Sequence, residues 1–146
     1  IVGDVQQLGS KYDLRMSSRI GRRAPVYCTG IGKVLMAWLK EDELLAHLRE
    51  ESFERRTANT LTSIDEYLQE LAVVRQQGYG EDHEEFEDNM RCLSAPIRDR
   101  FGHVIGGMSV SFPCFRFREE LKQDYVKQLM EASQQVSSQL GWHPQG

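Results

Sequence analysis

The sequence predicts an α+β fold, an antiparallel sheet with helices packed on it. Three observations carry this expectation. Strand-like runs come in pairs joined by short turns, helical runs stand between and after the pairs, and no regular alternation of single strands and helices appears. The chain has 146 residues, the size of one ordinary domain. With 40% apolar and 27% charged residues it has the means to bury a core without a disulfide lattice or a structural metal.

Ile1 to Leu8 and Tyr12 to Ile20, separated by Gly9-Ser10, read as a hairpin with loose alternation through Leu14, Met16 and Ser18. Gly21-Arg22-Arg23-Ala24-Pro25 breaks it. After Val26-Tyr27-Cys28, the residues Ile31, Val34, Leu35, Trp38 and Leu39 fall on one helical face, and Thr29 is the expected N-cap. A second helix runs from Glu41 to about Glu50, with Leu44, Leu45 and Leu48 inward and acids in its first turn, where the helix dipole favours them. Ser63-Ile64-Asp65-Glu66 is a capping box, and Ile64, Leu68, Leu71 and Val74 repeat at helical spacing until Gly78.

Two further runs, Met90 to Arg98 and His103 to Phe112, flank the turn Asp99-Arg100-Phe101-Gly102 and read as a second hairpin. A long amphipathic helix follows from about Arg118 to Leu140, marked by Leu121, Tyr125, Leu129, Ala132, Val136 and Leu140 and stopped by Gly141 and Pro144. The longest apolar runs, Val34 to Leu39 and Val104 to Val110, fall far short of the roughly 20 residues a membrane span needs.

Cys28, Cys92 and Cys114 are odd in number and lack CxxC spacing, so reduced thiols in a cytoplasmic protein are expected, with no zinc site. The chain opens on Ile1-Val2-Gly3-Asp4, neither a start methionine nor a signal peptide, and reads as a piece of a longer protein. Net charge is −4, with 10 basic and 8 acidic residues before Leu61 but 4 and 10 from Leu61 to Arg100. With six carboxylates among the eight residues from Glu81 to Asp88, no extended basic face is expected, and this piece should not bind nucleic acid by itself.

The second hairpin supplies a candidate ligand site. With a four-residue loop Arg98 would pair with His103, placing Cys92 opposite Ser109 and Met90 opposite Ser111. One face then carries Leu93, Ala95, Ile97, Val104, Met108, Val110 and Phe112, a core-building set. The other carries Met90, Cys92, Ser94, Gly107, Ser109 and Ser111, small and polar residues that leave room for a small polar ligand. An ordinary solvent-facing strand would have the same composition. Cys28-Thr29-Gly30-Ile31-Gly32-Lys33 is a helix start whose amides are able to hold an anion, or two glycines that merely permit close packing; it is not a phosphate loop. The segment Tyr79 to Glu85 reads as a solvated charged edge rather than a metal cluster, because HExxH spacing is missing. His47, His83, His103 and His143 are scattered, and no catalytic triad is visible.

Five stretches in register resemble one family: Gly21 to Pro25, Thr29 to Ala37, Gly78-Tyr79 with Asp82 to Glu85, Arg91 to Ile97, and Gly106 to Ser111. They resemble the effector-binding domain of IclR-type bacterial transcription regulators, from about Gly21 to Gly141. Leu14 to Arg23 further resembles the branch that regulates catabolism of keto sugar acids. The resemblance implies a GAF-like domain that senses a small organic acid and is joined to an N-terminal winged helix-turn-helix. It also implies a pocket on Gly30, Ile31, Asp82, Cys92, Ser109 and Ser111, with Met16 and Met90 as apolar lining. Gly30 stands where alanine is common, and His83 where many members carry a second acid.

The function expected is a sensor, acting in a repressor, in which an anionic effector shifts a self-associating domain between two arrangements. DNA would be contacted only through the N-terminal domain. No cofactor and no membrane partner are called for. The alternative is a GAF-like thiol-dependent reductase of methionine sulfoxide. A nucleotide-sensing module fits the same fold but would need an aromatic platform beside the serines.

Overall fold

The computed structural model describes residues 2–3, 20–21 and 23–144. The hairpin expected over Ile1 to Ile20, and with it Met16, lies almost wholly outside the described residues. Strands β1 (Val2–Gly3) and β2 (Arg23–Ala24) pair antiparallel, Val2 opposite Ala24.

Helix α1 (Gly30–Ala37) starts at Thr29, whose hydroxyl accepts from the Gly32 amide at 3.1 Å and donates to the Pro25 carbonyl at 2.8 Å. At Gly32 a Cβ would collide with the Val26 backbone, so glycine is needed for the chain to turn into the helix this tightly. Helix α2 (Glu41–Arg49) buries Leu44 and Leu48. In α3 (Ile64–Gln77) the Ser63 hydroxyl accepts from the Glu66 amide at 3.2 Å, and the Glu66 carboxylate accepts from the Thr62 amide at 2.9 Å. Gly78, at φ +85°, closes the helix in the left-handed region as the sequence anticipates. Tyr67, Leu71 and Val74 of α3 pack with Val34 of α1, Leu48 and Tyr27 into one core, and the Tyr67 hydroxyl donates to the Val26 carbonyl at 2.8 Å.

Strands β3 (Gly80–His83), β4 (Met90–Arg98) and β5 (Val104–Pro113) form an antiparallel sheet in the order β3-β4-β5. Two short 3-10 turns, Cys114–Arg116 and Glu119–Leu121, lead into α4 (Lys122–Gln139). The helix expected from Arg118 therefore begins at Lys122. Val126 and Leu129 of α4 bury Leu93 and Ala95 on one sheet face, with Met108, Val110 and Phe112 packed against them. Ser133 and Ser137 anchor α4 further along: Ser133 Oγ donates to the Pro96 carbonyl, and Ser137 Oγ accepts from the Arg98 amide at 2.9 Å. The α+β class is the one observed.

The register differs from expectation. Cys92 lies opposite Ser111, Met90 opposite Pro113 and Ser94 opposite Ser109. Asp99 is the cause, because its carboxylate accepts from the amides of Phe101 at 2.9 Å and His103 at 3.0 Å and ties both into the turn. Arg98 then pairs with Val104 and Ile97 with Gly106, leaving Ile105 as an extra residue in β5. The net slip over Met90 to Ile97 is even, so the two residue sets keep their faces. Val104 alone changes sides and packs against the α1–α3 core rather than beside Leu93.

Candidate functional site

Two cross-strand rows define the second sheet face: Gly80, Ser94 and Ser109 in one, Asp82, Cys92 and Ser111 in the next. Partners across an antiparallel ladder point to the same side. Met90 and Pro113 make the row beyond. The start of α1 lies on this face. A Cβ on Gly80 would stand 2.7 Å from the Gly30 carbonyl oxygen, and one on Gly107 would stand 3.6 Å from the Ile31 side chain. Glycine at position 80 is thus what lets the helix approach β3.

The structure brings together Gly30, Ile31, Asp82, Cys92, Ser109 and Ser111, with Met90 one row out. They run from buried to open: Gly30 and Asp82 are buried, Cys92, Ser111 and Met90 half-buried, and Ser109 exposed. Met16 lies outside the described residues. The first helical bond of α1 runs from the Lys33 amide to the Thr29 carbonyl at 3.1 Å, and the cap takes the Gly32 amide. The amides of Gly30 and Ile31 precede both and point out of the helix end. The Cys92 thiol and the Ser111 hydroxyl share a hydrogen bond at 3.1 Å.

Two residues beyond the expected set matter here. Ser94 belongs to the serine-bearing face by simple alternation, and its hydroxyl is fully buried with no hydrogen-bond partner among the described residues. Lys33 is fully buried on α1, one turn after Gly30. Its ammonium donates to Glu85 at 2.7 Å, to Glu70 at 2.9 Å and to the Glu81 carbonyl at 2.6 Å. A lysine inside an apolar helical stretch was the one available signal.

Lys33 also changes the reading of the acidic segment, which the sequence presents as a solvated edge. Asp82 and Glu85 are buried, and Glu81 is clamped by Arg91 and by Lys122, the latter at 2.6 Å. Burial raises Glu81, but the bonds from Lys122 and Arg91 outweigh it and hold the carboxyl below its ordinary range. Glu85 moves the other way, since its burial outweighs the pull of Lys33. Among the described residues no group of three or more His, Cys, Asp and Glu side chains is placed to hold a metal.

Asp82 carries the largest consequence. Its Oδ1 accepts from the Glu85 amide at 2.7 Å and the Phe86 amide at 3.4 Å, which folds the strand end back on itself. Burial pushes its carboxyl up to about 7, against those two bonds and the Lys33 charge. Both protonation states are therefore populated near neutrality. Cys92 is pushed up to about 12, first by burial and then by the Asp82 charge. It remains a thiol at neutral pH, the wrong state for a nucleophile. All three cysteines are free.

Comparison with known proteins decides the family. Residues 3–138 match the family described as the bacterial transcriptional regulator IclR C-terminal. The chain belongs to the IclR family. It is 50% identical over 139 residues to the HTH-type transcriptional regulator KdgR of Escherichia coli K12, covering 95% of this chain and 53% of KdgR. The chain spans about half the length of the curated IclR-type relatives it matches. The crystal structure of the C-terminal domain of E. coli KdgR superposes with a TM-score of 0.82 at 46% identity, covering 96% of this chain and 85% of that one. A double mutant of the inducer-binding domain of PobR from Acinetobacter, crystallised with 3-hydroxybenzoic acid, gives a TM-score of 0.76 at 25% identity over 88% of this chain and 74% of its own. These IclR-type relatives are transcription regulators, not enzymes, and the reductase alternative finds no support among them. No helix among the described residues is long and apolar enough to cross a membrane.

Proposed function

We propose that this IclR-family domain senses a small carboxylate metabolite, a keto sugar acid, over the sheet face bearing Ser94, Ser109 and Ser111. In the longer protein it controls genes of carbohydrate-acid catabolism, as part of a repressor in the cytoplasm. What supports the reading is the packing of the start of α1, whose Gly30 and Ile31 amides have no hydrogen-bond partner among the described residues, against the sheet face whose rows end in Ser109 and Ser111. Neutral donors of this kind bind a carboxylate without a lysine.

Asp82 takes the opposite end of the ligand. Ionised, it accepts from a ligand hydroxyl; protonated, it donates one hydrogen bond of its own. Cys92 and Met90 are walls. The resemblance of Leu14 to Arg23 to the keto sugar acid branch supports a hydroxylated acid over a simple one. The PobR complex supports a carboxylate as the shared ligand chemistry.

DNA is contacted by a winged helix-turn-helix on the N-terminal side of this chain, and the domain self-associates to match a two-fold operator. Its own centre is acidic, and three of the cations there, Lys33, Arg91 and Lys122, are paired with carboxylates. Thermal-shift screening against sugar acids and short keto acids tests the ligand class. A rise with hydroxylated keto acids and none with neutral sugars is the expected result, and stabilisation by neutral sugars alone overturns it.

A further inference from the structure

A cavity of about 220 Å³ lies at the far end of α1 from the serine-lined face, between α4 and the turn of the second hairpin. Trp38, Pro96, Arg98, Met130 and Trp142 line it, and among the described residues Arg98 is the single charged residue in its wall. The hydroxyls of Ser133 and Ser137, which also line it, are engaged by the Pro96 carbonyl and the Arg98 amide. The guanidinium of Arg98 stacks 4.7 Å above the Trp38 ring and donates one bond, Nη1 to the Gly102 carbonyl at 2.9 Å. Among the described residues no carboxylate pairs with it. The other well-buried cations, Lys33 and Arg91, each hold two acids.

A half-buried guanidinium with donors to spare, set in an apolar cavity with two indoles, has a clear complement. Its plane and fork suit a carboxylate, and the indole rings suit a flat apolar body. A cavity of about 150 Å³ is enough for a benzene ring. Burial also pushes Arg98 down from its ordinary value with no acid to oppose it, as expected of a cation that lacks its counter-charge. The geometry points to a second ligand site, for a small single-ring aromatic carboxylate, bound through Arg98 in the cavity that Trp38 and Trp142 line. The site is separate from the sheet face of the proposed effector and does not rest on that reading.

The chain offers its own reporter, since Trp38 and Trp142 are its two tryptophans and both line this cavity. Intrinsic fluorescence of the 146-residue chain is titrated with benzoate, with benzamide as the neutral isostere and acetate as the ringless acid. The site predicts a saturable change with benzoate and binding weaker by about tenfold or more for both controls, the loss of one charge-assisted contact or of the ring. Arg98→Gln should weaken benzoate by a similar factor, Arg98→Lys by less, and Ser109→Ala with Ser111→Ala not at all. A response linear in benzoate is collisional quenching and overturns the proposal. So does equal binding of benzamide, which decides the matter on the native chain even if the arginine variants fail to fold. A response abolished by the two serine changes assigns the ligand to the sheet face instead and equally overturns it.

Discussion

Ser94 Oγ lies 2.5 Å from the point where a Cβ on Gly30 would stand. The buried hydroxyl of β4 thus occupies the space that an alanine at the start of α1 would need, so the two positions are coupled through one small volume. Gly30→Ala should destabilise the fold by about 1–3 kcal/mol through overpacking. Ser94→Ala removes a hydroxyl that has no partner among the described residues and should be near neutral. The double variant should be more stable than the sum of the single changes, which urea denaturation of the four proteins measures as a coupling energy; strict additivity would show that the two side chains do not compete.

Lys33 holds α1 to the acidic segment through Glu70, Glu85 and the Glu81 carbonyl. Lys33→Met strands two carboxylates, one of them buried, and should cost about 3–5 kcal/mol. Adding Glu85→Gln should recover part of that loss. Denaturant midpoints for the single and double variants check both statements.

The raised carboxyl of Asp82 sets a pH dependence whose sign follows from its direction. Folded, it binds a proton up to about pH 7; unfolded, only up to its ordinary value of 3.8. Between those values the folded state holds more protons, so stability falls as pH rises. Asp82→Asn should flatten this slope, worth up to roughly 4 kcal/mol, in melting curves taken from pH 4 to pH 7. Glu85 acts in the same sense and should leave a residual slope. A slope of the same size in the variant would place the titration elsewhere.

Much of this arrangement is legible in the sequence, because it follows from local rules. The Ser63 cap and Gly78 stop of α3 are set by residues within one turn of each end. The two faces of the second hairpin follow from period-two alternation, which survives an even slip in register. The slip itself was not legible: the turn type depends on whether the Asp99 carboxylate captures the His103 amide, which spacing alone does not decide. Burial of the acidic segment was hidden for another reason. Its counter-ion, Lys33, stands 52 residues before Glu85, and charge runs reveal nothing about partners that distant. At the site, alternation and the helix start select Gly30, Cys92, Ser109 and Ser111, but only the packing of α1 on β3 joins them.

Sensing by the serine-lined face is tested most directly by isothermal calorimetry with a panel of hydroxylated keto acids, on the unaltered chain and on the Ser109→Ala, Ser111→Ala double variant. Binding to the unaltered chain, weakened by about 1–3 kcal/mol in the variant while its melting temperature is held, is the result this site predicts. Undiminished affinity in a folded double variant would contradict it and remove both serines from the binding surface.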